Sequence, residues 1–194
     1  VDFSRYHFFH SNYFIKKNEK KKALNVLNSS LKLFPRNLIL NQLKTDLINN
    51  KNSNNQFDCK NLSHVVAEIF YITASAMASQ GTYTLSNFYL SLAKYLNPDF
   101  VSFDILYAEN FYEIEKYEIA ENIFFKIKDY GSVYNWYSTK RIALILSEQN
   151  KEKEAIKFIT QEFKKIQSPN VYEVYDFAAF LKNNENYEEA TKYY

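Results

Sequence analysis

The chain has little glycine, proline and cysteine for its length. Its 194 residues include two glycines, three prolines and one cysteine. So few turn-forming residues leave little scope for tight turns and bulges, and they favour long helices joined by short polar connections. The single cysteine, Cys59, excludes an internal disulfide and a multi-cysteine metal site. We therefore expect an all-α fold that does not depend on disulfides.

An excess of charge of one sign is also missing. The 24 Lys and Arg residues nearly balance the 22 Asp and Glu residues, which leaves a formal net charge of +2. A field this weak does not favour binding to nucleic acid or to an acidic membrane surface. Glu68 and small polar residues interrupt the most apolar stretch, Val65 to Ala78, so it falls short of the ~18 apolar residues that span a bilayer. We expect no nucleic-acid partner and no membrane span.

Apolar residues are plentiful, at 46% of the chain, and this content is sufficient for a folded core. The sequence begins without an initiator methionine and ends at Tyr194 inside an amphipathic pattern. We interpret it as a fragment of a longer chain.

Alanines recur at a nearly constant spacing, each followed by a bulky apolar residue. They are Ala23, Ala120, Ala155 and Ala190. The period is about 34 residues, and within it apolar residues at steps of three and four mark two amphipathic helices. Such a unit buries its apolar face only against its neighbours, so the pattern predicts a helical solenoid.

The period divides the chain into six units. Their approximate bounds are 4–37, a degenerate unit 38–66, 67–100, 101–134, 136–169 and a truncated unit 171–194. The order weakens between Leu38 and Asn61, where Leu38 to Ile48 is predicted as one helix and Asn49 to Gln56 as an asparagine-rich loop. We expect one degenerate unit to fill this gap.

Local signals mark where helices begin and end. Gly81 is expected to close the first helix of its unit in a left-handed turn, and Pro98 to end the second. Asn170, followed three residues later by Glu, and Asn186, with the same spacing, predict capping boxes at two helix starts.

The ladder of small and bulky residues resembles the tetratricopeptide repeat. The positions that match the pattern of that family are Ser11, Phe14, Ala23, Leu27, Pro35, Ala74, Met77, Ser86, Leu90, Ala93, Pro98, Ala108, Phe111, Tyr117, Ala120, Phe124, Ala143, Leu146, Ala155, Ile159, Ala178, Leu181, Tyr187, Ala190 and Tyr194. The resemblance covers most of the chain outside Leu38 to Asn61. It implies a right-handed superhelical solenoid of about five helix pairs.

The stretch from Val65 to Ile127 is similar to the C-terminal part of long tetratricopeptide proteins of alphaproteobacteria. That resemblance implies a bacterial source. It is compatible with a periplasmic or envelope-associated location, and otherwise with the cytoplasm. It carries no activity with it.

In tetratricopeptide solenoids the first helix of each pair lines a concave groove, and helical phase directs a tyrosine-rich stripe there in this chain. Its residues are Tyr71, Ser75, Ile105, Glu109, Tyr112, Tyr137, Lys140, Leu144, Tyr172 and Tyr175. Tyrosine combines a large contact area with a hydrogen-bonding tip, which suits recognition of a peptide or a helix. The alternative is that these tyrosines pack between repeats, which is the more common fate of aromatic residues at helical spacing.

Other residue groups give weak signals. Cys59 and His64 lack a third partner for a metal site or an activated nucleophile. The basic run Lys16 to Lys22 falls at a predicted turn and is interpreted as a solvated loop. Arg5 and Asn12 alone do not make the basic clamp for a terminal carboxylate that this fold is best known for. We predict no cofactor, no metal site and no catalytic site.

The sequence therefore favours a non-catalytic scaffold that holds a peptide, a helix or a partner domain in the groove. Glu109 and Lys140 are expected to set the polarity of that groove. The alternative is a structural spacer within a bacterial cell-envelope assembly factor.

Overall fold

The structure is a computed structural model that describes residues 4–53 and 57–194. Within these residues it contains eleven α-helices and no strand. The helices are α1 (Ser4–Lys16), α2 (Lys20–Leu33), α3 (Leu38–Ile48), α4 (Leu62–Ser79), α5 (Tyr83–Leu96), α6 (Val101–Glu113), α7 (Tyr117–Ile127), α8 (Ser132–Glu148), α9 (Glu152–Phe163), α10 (Val171–Asn183) and α11 (Tyr187–Ala190), with a 3-10 turn at Lys128–Tyr130. The prediction of an all-α fold is confirmed.

Five pairs of consecutive helices pack as hairpins, namely α1 with α2, α4 with α5, α6 with α7, α8 with α9 and α10 with α11. Each hairpin has one small residue on either helix where the two helices meet. These residues are Ser11, Ala23, Ala74, Ser86, Ala108, Ala120, Ala143, Ala155, Ala178 and Ala190, and all are buried. A small side chain lets two backbones approach closely, so the repeated alanines are packing positions.

The turn inside each hairpin has one recurring geometry. A residue with positive φ follows the first helix of each hairpin and also follows α3. These residues lie 31 to 35 positions apart along the chain: Asn18, Asn50, Gly81, Glu115, Asn150 and Glu185. The next amide then bonds back across the turn, as from Lys116 to the Phe111 carbonyl at 2.8 Å. The expected left-handed conformation of Gly81 is confirmed by its φ of 76°.

Helix α3 has this turn, but among the described residues no second helix follows it before α4. Asn50 adopts a φ of 53°, and the Lys51 amide bonds to the Asp46 carbonyl at 2.8 Å as in the hairpins. At the position where the other first helices carry Ser or Ala, α3 carries Leu43, which is buried. A leucine there prevents the close approach of a second helix. We interpret α3 as the first helix of the degenerate unit; the last residues of the predicted asparagine-rich loop, 54–56, lie outside the described part of the chain.

The two predicted capping boxes have different outcomes. Asn170 forms the box, since its Oδ1 accepts from the Glu173 amide at 3.1 Å and the Glu173 carboxylate accepts from the Asn170 amide at 2.7 Å. The prediction for Asn186 is wrong, because its side chain makes no capping bond. The tight hairpin turn holds Asn186 at a ψ of 64°, whereas Asn170 has the extended ψ of 169° that turns a side chain back over the first amides.

Helix α4 is the one helix in the described ranges that is long and apolar enough to cross a membrane by length and composition. It nevertheless makes the contacts of a packed helix. Ala67 and Ala74 are fully buried in the core, and Glu68 pairs with Arg5 of α1. Ile69 and Ile72 lie on its exposed side.

Candidate protein-interaction face

The first helices α4, α6, α8 and α10 form a surface that we call the first-helix face, and α3 lies across it. Helix α3 packs against α1, α2 and α8. Its first residue, Leu38, joins the apolar cluster to which Ile105 of α6 and Tyr137 of α8 belong. Further along, Gln42 Oε1 accepts a hydrogen bond from the Val133 amide at 2.9 Å. Helix α3 thus rests on α8, a helix of a later hairpin.

Two cavities flank α3 on this face. The larger, of about 530 Å³, lies between α1, α3, α4 and α6 and is lined in part by Arg5, Tyr71 and Ile105. The smaller, of about 160 Å³, lies between α3, α8 and α10 and is lined in part by Tyr172 and Asp176. Both cavities combine apolar walls with a few charged groups, which is the usual composition of a binding site.

A polar cluster joins α6 to α8 beside the cavities. Glu109 accepts hydrogen bonds from the Tyr137 hydroxyl and from the Arg141 guanidinium. That guanidinium also lies over the Tyr112 ring, 4.0 Å from its centroid. Burial raises the pKa of Glu109 even though Arg141 and Tyr137 oppose the shift. Burial and the adjacent Glu109 carboxylate raise the pKa of Tyr137 well above its usual value.

A second cluster joins the turn before α3 to α8 and α10. Asp176 accepts from Arg36 through Oδ1 at 2.7 Å and from Lys140 through Oδ2 at 2.5 Å. The Arg36 guanidinium lies 5.0 Å from the ring centroid of Tyr172 and 5.8 Å from that of Tyr175. Burial alone would raise the pKa of Asp176, but the bonds from Lys140 and Arg36 outweigh it and lower that pKa.

A third cluster closes the end of the larger cavity. Arg5 Nε donates to Glu68 Oε1 at 2.5 Å, and the guanidinium lies 4.0 Å from the Tyr71 ring centroid. The same guanidinium lies 5.1 Å from the centroid of Phe100. Arg5 is therefore held by a carboxylate and two rings, and it presents little free charge to the cavity.

The structure distributes the predicted groove residues among these features. Tyr71, Ser75 and Ile105 line the larger cavity. Tyr137, Lys140 and Tyr172 line the smaller one.

The remaining four predicted residues lie outside the two cavities. Glu109 and Tyr112 contact Arg141 instead. Leu144 packs into the apolar cluster of the last two hairpins. Tyr175 is exposed, beside Arg36 and with its ring edge toward Tyr194. The residues of the predicted stripe therefore do not share one environment. Six of them line cavities, and the other four lie elsewhere, most of them in contacts within the protein.

Sequence reasoning missed Arg36, Arg141 and Asp176. Two of them had a usable signal, since Arg141 follows Tyr137 and Asp176 follows Tyr172 by four residues on the same helix. Arg36 had none, because it lies in the turn before α3 and its partner is 140 residues away.

The weaker candidate sites have structural roles or open surroundings. His64 Nδ1 accepts from the Asp58 amide at 3.0 Å and so fixes the loop before α4. Cys59 is exposed. In the basic run, Lys20 bonds to Asn50 at 2.8 Å and Lys22 pairs with Glu19 at 2.6 Å. Among residues 4–53 and 57–194, no three His, Cys, Asp or Glu side chains are grouped so as to hold a metal ion.

The chain is similar to known proteins in structure and not in sequence. No family model matches the sequence, and no curated protein matches it. The crystal structure of the nearly identical TPR-like repeats of a Podosopora anserina kinesin light chain superposes with a TM-score of 0.53 at 10% identity, covering 97% of this chain and 90% of that one. A single-substitution variant of the same protein gives a TM-score of 0.53 at 11% identity over the same shares. The chain therefore has the fold of the tetratricopeptide-type helical repeats.

Proposed function

We propose that this protein is a non-catalytic scaffold that binds a peptide, a helix or a partner domain on its first-helix face. The observation that carries the proposal is the pair of cavities beside α3, which gather side chains from α1, α4, α6, α8 and α10. Helical repeats present extended surfaces to which successive repeats each contribute one helix.

The exposed part of the face has the character of a recognition surface. Tyr172 and Tyr175 on α10 are 42% and 54% exposed. Each offers a ring with two rotatable side-chain bonds and a hydroxyl, so that ordering it on binding costs little entropy. A salt bridge between Lys140 and Asp176 lies beside them. A partner that covers these rings buries apolar surface and can also form hydrogen bonds with the tyrosine hydroxyls or with Lys140 and Asp176.

The buried part of the face has a different role. Tyr112 and Tyr137 already contact Arg141 and Glu109, so their contacts stabilise the packing of α6 on α8. Replacing them weakens the fold as well as any complex. The exposed tyrosines of α10 are therefore the sharper probes of binding.

The test compares two double variants by quantitative capture of partners from lysate. In Tyr172→Ala/Tyr175→Ala the aromatic surface of the face is removed. In the matched control, Phe88→Ala/Tyr95→Ala, two exposed aromatic residues are removed from α5, a second helix of its hairpin. We expect the amount of each specific partner captured to fall at least tenfold with the first variant and to stay unchanged with the second. Both variants should keep equal helical content by circular dichroism.

Equal retention by both variants contradicts the proposal. It favours the structural spacer of a bacterial cell-envelope assembly factor, in which the first-helix face makes no contact of its own. The location and the source of the protein stay predictions at this stage.

A further inference from the structure

We infer that Tyr172, Tyr175 and Asp176 form an arginine-binding subsite, that Arg36 of the same chain fills it in this structure, and that the partner of the first-helix face carries an arginine that takes the place of Arg36. This inference rests on the proposed function and names the chemistry of the partner at that face. We call the three residues the α10 subsite.

The geometry of the α10 subsite suits a guanidinium. Two tyrosine rings lie 5.0 and 5.8 Å from the Arg36 carbon that bears the charge. Asp176 Oδ1 accepts a hydrogen bond from the same guanidinium at 2.7 Å. A flat, weakly hydrated cation is favoured both by ring faces and by a carboxylate acceptor, whereas a compact ammonium ion is more strongly hydrated.

Because Lys140 already pairs with Asp176, the subsite has room for only one further cation. Lys140 occupies Asp176 Oδ2 at 2.5 Å, which leaves Oδ1 as the acceptor for the incoming group. Asp176 is only 13% exposed at its side chain, so the carboxylate is shielded while the rings remain open to solvent. In the α10 subsite the Asp176 carboxylate is therefore shielded from solvent, and the rings of Tyr172 and Tyr175 are accessible to a partner.

Arg36 is positioned to be exchanged. Its side chain is 50% exposed, in contrast to the 18% of Arg141 in the neighbouring cluster. It belongs to the turn between α2 and α3, whereas the core contacts of α3 are made by Ile39, Leu40 and Leu43. Water competes for the half-exposed guanidinium, and this competition weakens its pair with the shielded Asp176 carboxylate. Arg36 can therefore leave the subsite while α3 stays in the core.

The test uses a peptide that copies residues 34–38 of this chain, acetyl-Phe-Pro-Arg-Asn-Leu-amide, as the probe. Binding is followed by NMR of ¹³C-labelled tyrosine rings. In Arg36→Ala the subsite is empty, and we expect the peptide to bind at least tenfold more tightly than to the wild type. In the control Lys44→Ala, which removes a charge from α3 itself, we expect wild-type affinity. Citrulline or lysine in place of the peptide arginine should weaken binding to Arg36→Ala at least fivefold.

The variant Arg36→Ala/Asp176→Asn tests the acceptor. We expect it to lose the tenfold gain while its melting curve stays cooperative, which shows that the hairpin α10–α11 is still folded. Equal binding to wild type and Arg36→Ala, or equal binding of the arginine and citrulline peptides, overturns the inference.

The two proposals fail in distinguishable ways. If Tyr172→Ala/Tyr175→Ala loses protein partners while Arg36→Ala gains no affinity for the peptide, the scaffold stands and the arginine subsite does not. If the tyrosine variant keeps its partners, the scaffold proposal fails, and the inferred arginine of the partner fails with it even where the peptide binds as expected.

Discussion

Gln42 of α3 lies directly against Gly131, the residue before α8. A β-carbon built on Gly131 would stand 2.3 Å from the Gln42 carboxamide. Gly131 has a φ of 147°, a conformation that residues with a side chain rarely adopt. The backbone conformation at position 131 therefore disfavours a side chain, and a β-carbon there would also displace the Gln42 carboxamide from its bonds to Val133 and Asp46.

The two glycines of the chain provide a matched test of that contact. We expect Gly131→Ala to lower the free energy of unfolding by about 2 to 4 kcal/mol, from backbone strain and the clash with Gln42. Gly81 has a φ of 76° but open space around its Cα, so Gly81→Ala should cost about 1 kcal/mol from the left-handed backbone alone. Urea denaturation gives both values. Equal losses would show that α3 does not press on Gly131.

The alanine ladder makes a second prediction about helix crossings. Ala74 of α4 is fully buried against α5, where Ser86 bonds to its carbonyl at 2.8 Å. Ala74→Leu should cost about 1 to 3 kcal/mol because the larger side chain separates the two helices. The control is Ala76→Leu, two residues later on the exposed side of the same helix, which should change stability by less than about 0.5 kcal/mol. Thermal melting of both variants checks the difference, and a stable Ala74→Leu protein would contradict the packing role.

Removing Arg141 should destabilise the contact between α6 and α8, which contains the ion pair of Arg141 with Glu109. Arg141→Leu leaves Glu109 buried without its cation, and we expect a loss of about 2 to 4 kcal/mol at pH 8. The pKa of Glu109 is already raised by burial, and removing Arg141 raises it further. As the pH falls from 8 to 5, the folded state takes up the proton before the unfolded chain does, so the loss should shrink.

The control for that pH effect is Lys165→Leu, which removes the 70% exposed partner of Glu162. It should cost less than about 1 kcal/mol and show little change between pH 5 and pH 8. Urea titrations of both variants at the two pH values make the comparison. A loss in Arg141→Leu that does not depend on pH would argue against a buried Glu109 charge.

Asp46 on α3 is a buried acid whose neutralisation should stabilise the protein. Its side chain accepts from Gln42 Nε2 at 2.7 Å, and burial raises its pKa despite that bond and the charge of Lys51. Asp46→Asn keeps an acceptor for Gln42 and removes the charge, so we expect a gain of about 0.5 to 1.5 kcal/mol at pH 8.

The sign of the pH dependence follows from the raised pKa. Wild-type protein becomes more stable as the pH falls through the folded-state pKa of Asp46, because the folded state takes up the proton before the unfolded chain does, and the gain from Asp46→Asn should be smaller at pH 4 than at pH 8. The exposed Asp129→Asn serves as the control, with no gain expected at either pH. Urea unfolding at pH 8 and pH 4 measures both, and a loss at pH 8 would contradict the prediction.

The sequence predicted the hairpins because their determinants are local. Small residues at Ala108 and Ala120, for example, belong to one hairpin, and their spacing alone indicates where two helices cross. The weakened pattern after Leu38 predicted a degenerate unit, and this stays a prediction. The leucine at position 43, where the hairpins carry a small residue, was also visible in the sequence.

The position of α3 could not be predicted in this way. Gln42 of α3 and Arg36 of the turn before it bond to Val133 and Asp176, which lie 91 and 140 positions away, and no periodic pattern encodes such pairs. The same limit applies to the tyrosine stripe. Helical phase placed Tyr137 on a first helix, but the bond from its hydroxyl to Glu109 depends on how two repeats stack.

The links from α3 also bear on how the chain unfolds. In a regular solenoid each repeat touches only its neighbours, and an end can fray while the middle stays folded. Here Arg36 ties the turn before α3 to Asp176 in α10, and Gln42 ties α3 to the start of α8. The last hairpins therefore cannot open without loss of contacts made near the other end of the chain. Such long-range contacts make unfolding more cooperative and slow folding, because a long stretch of chain must be closed before they form.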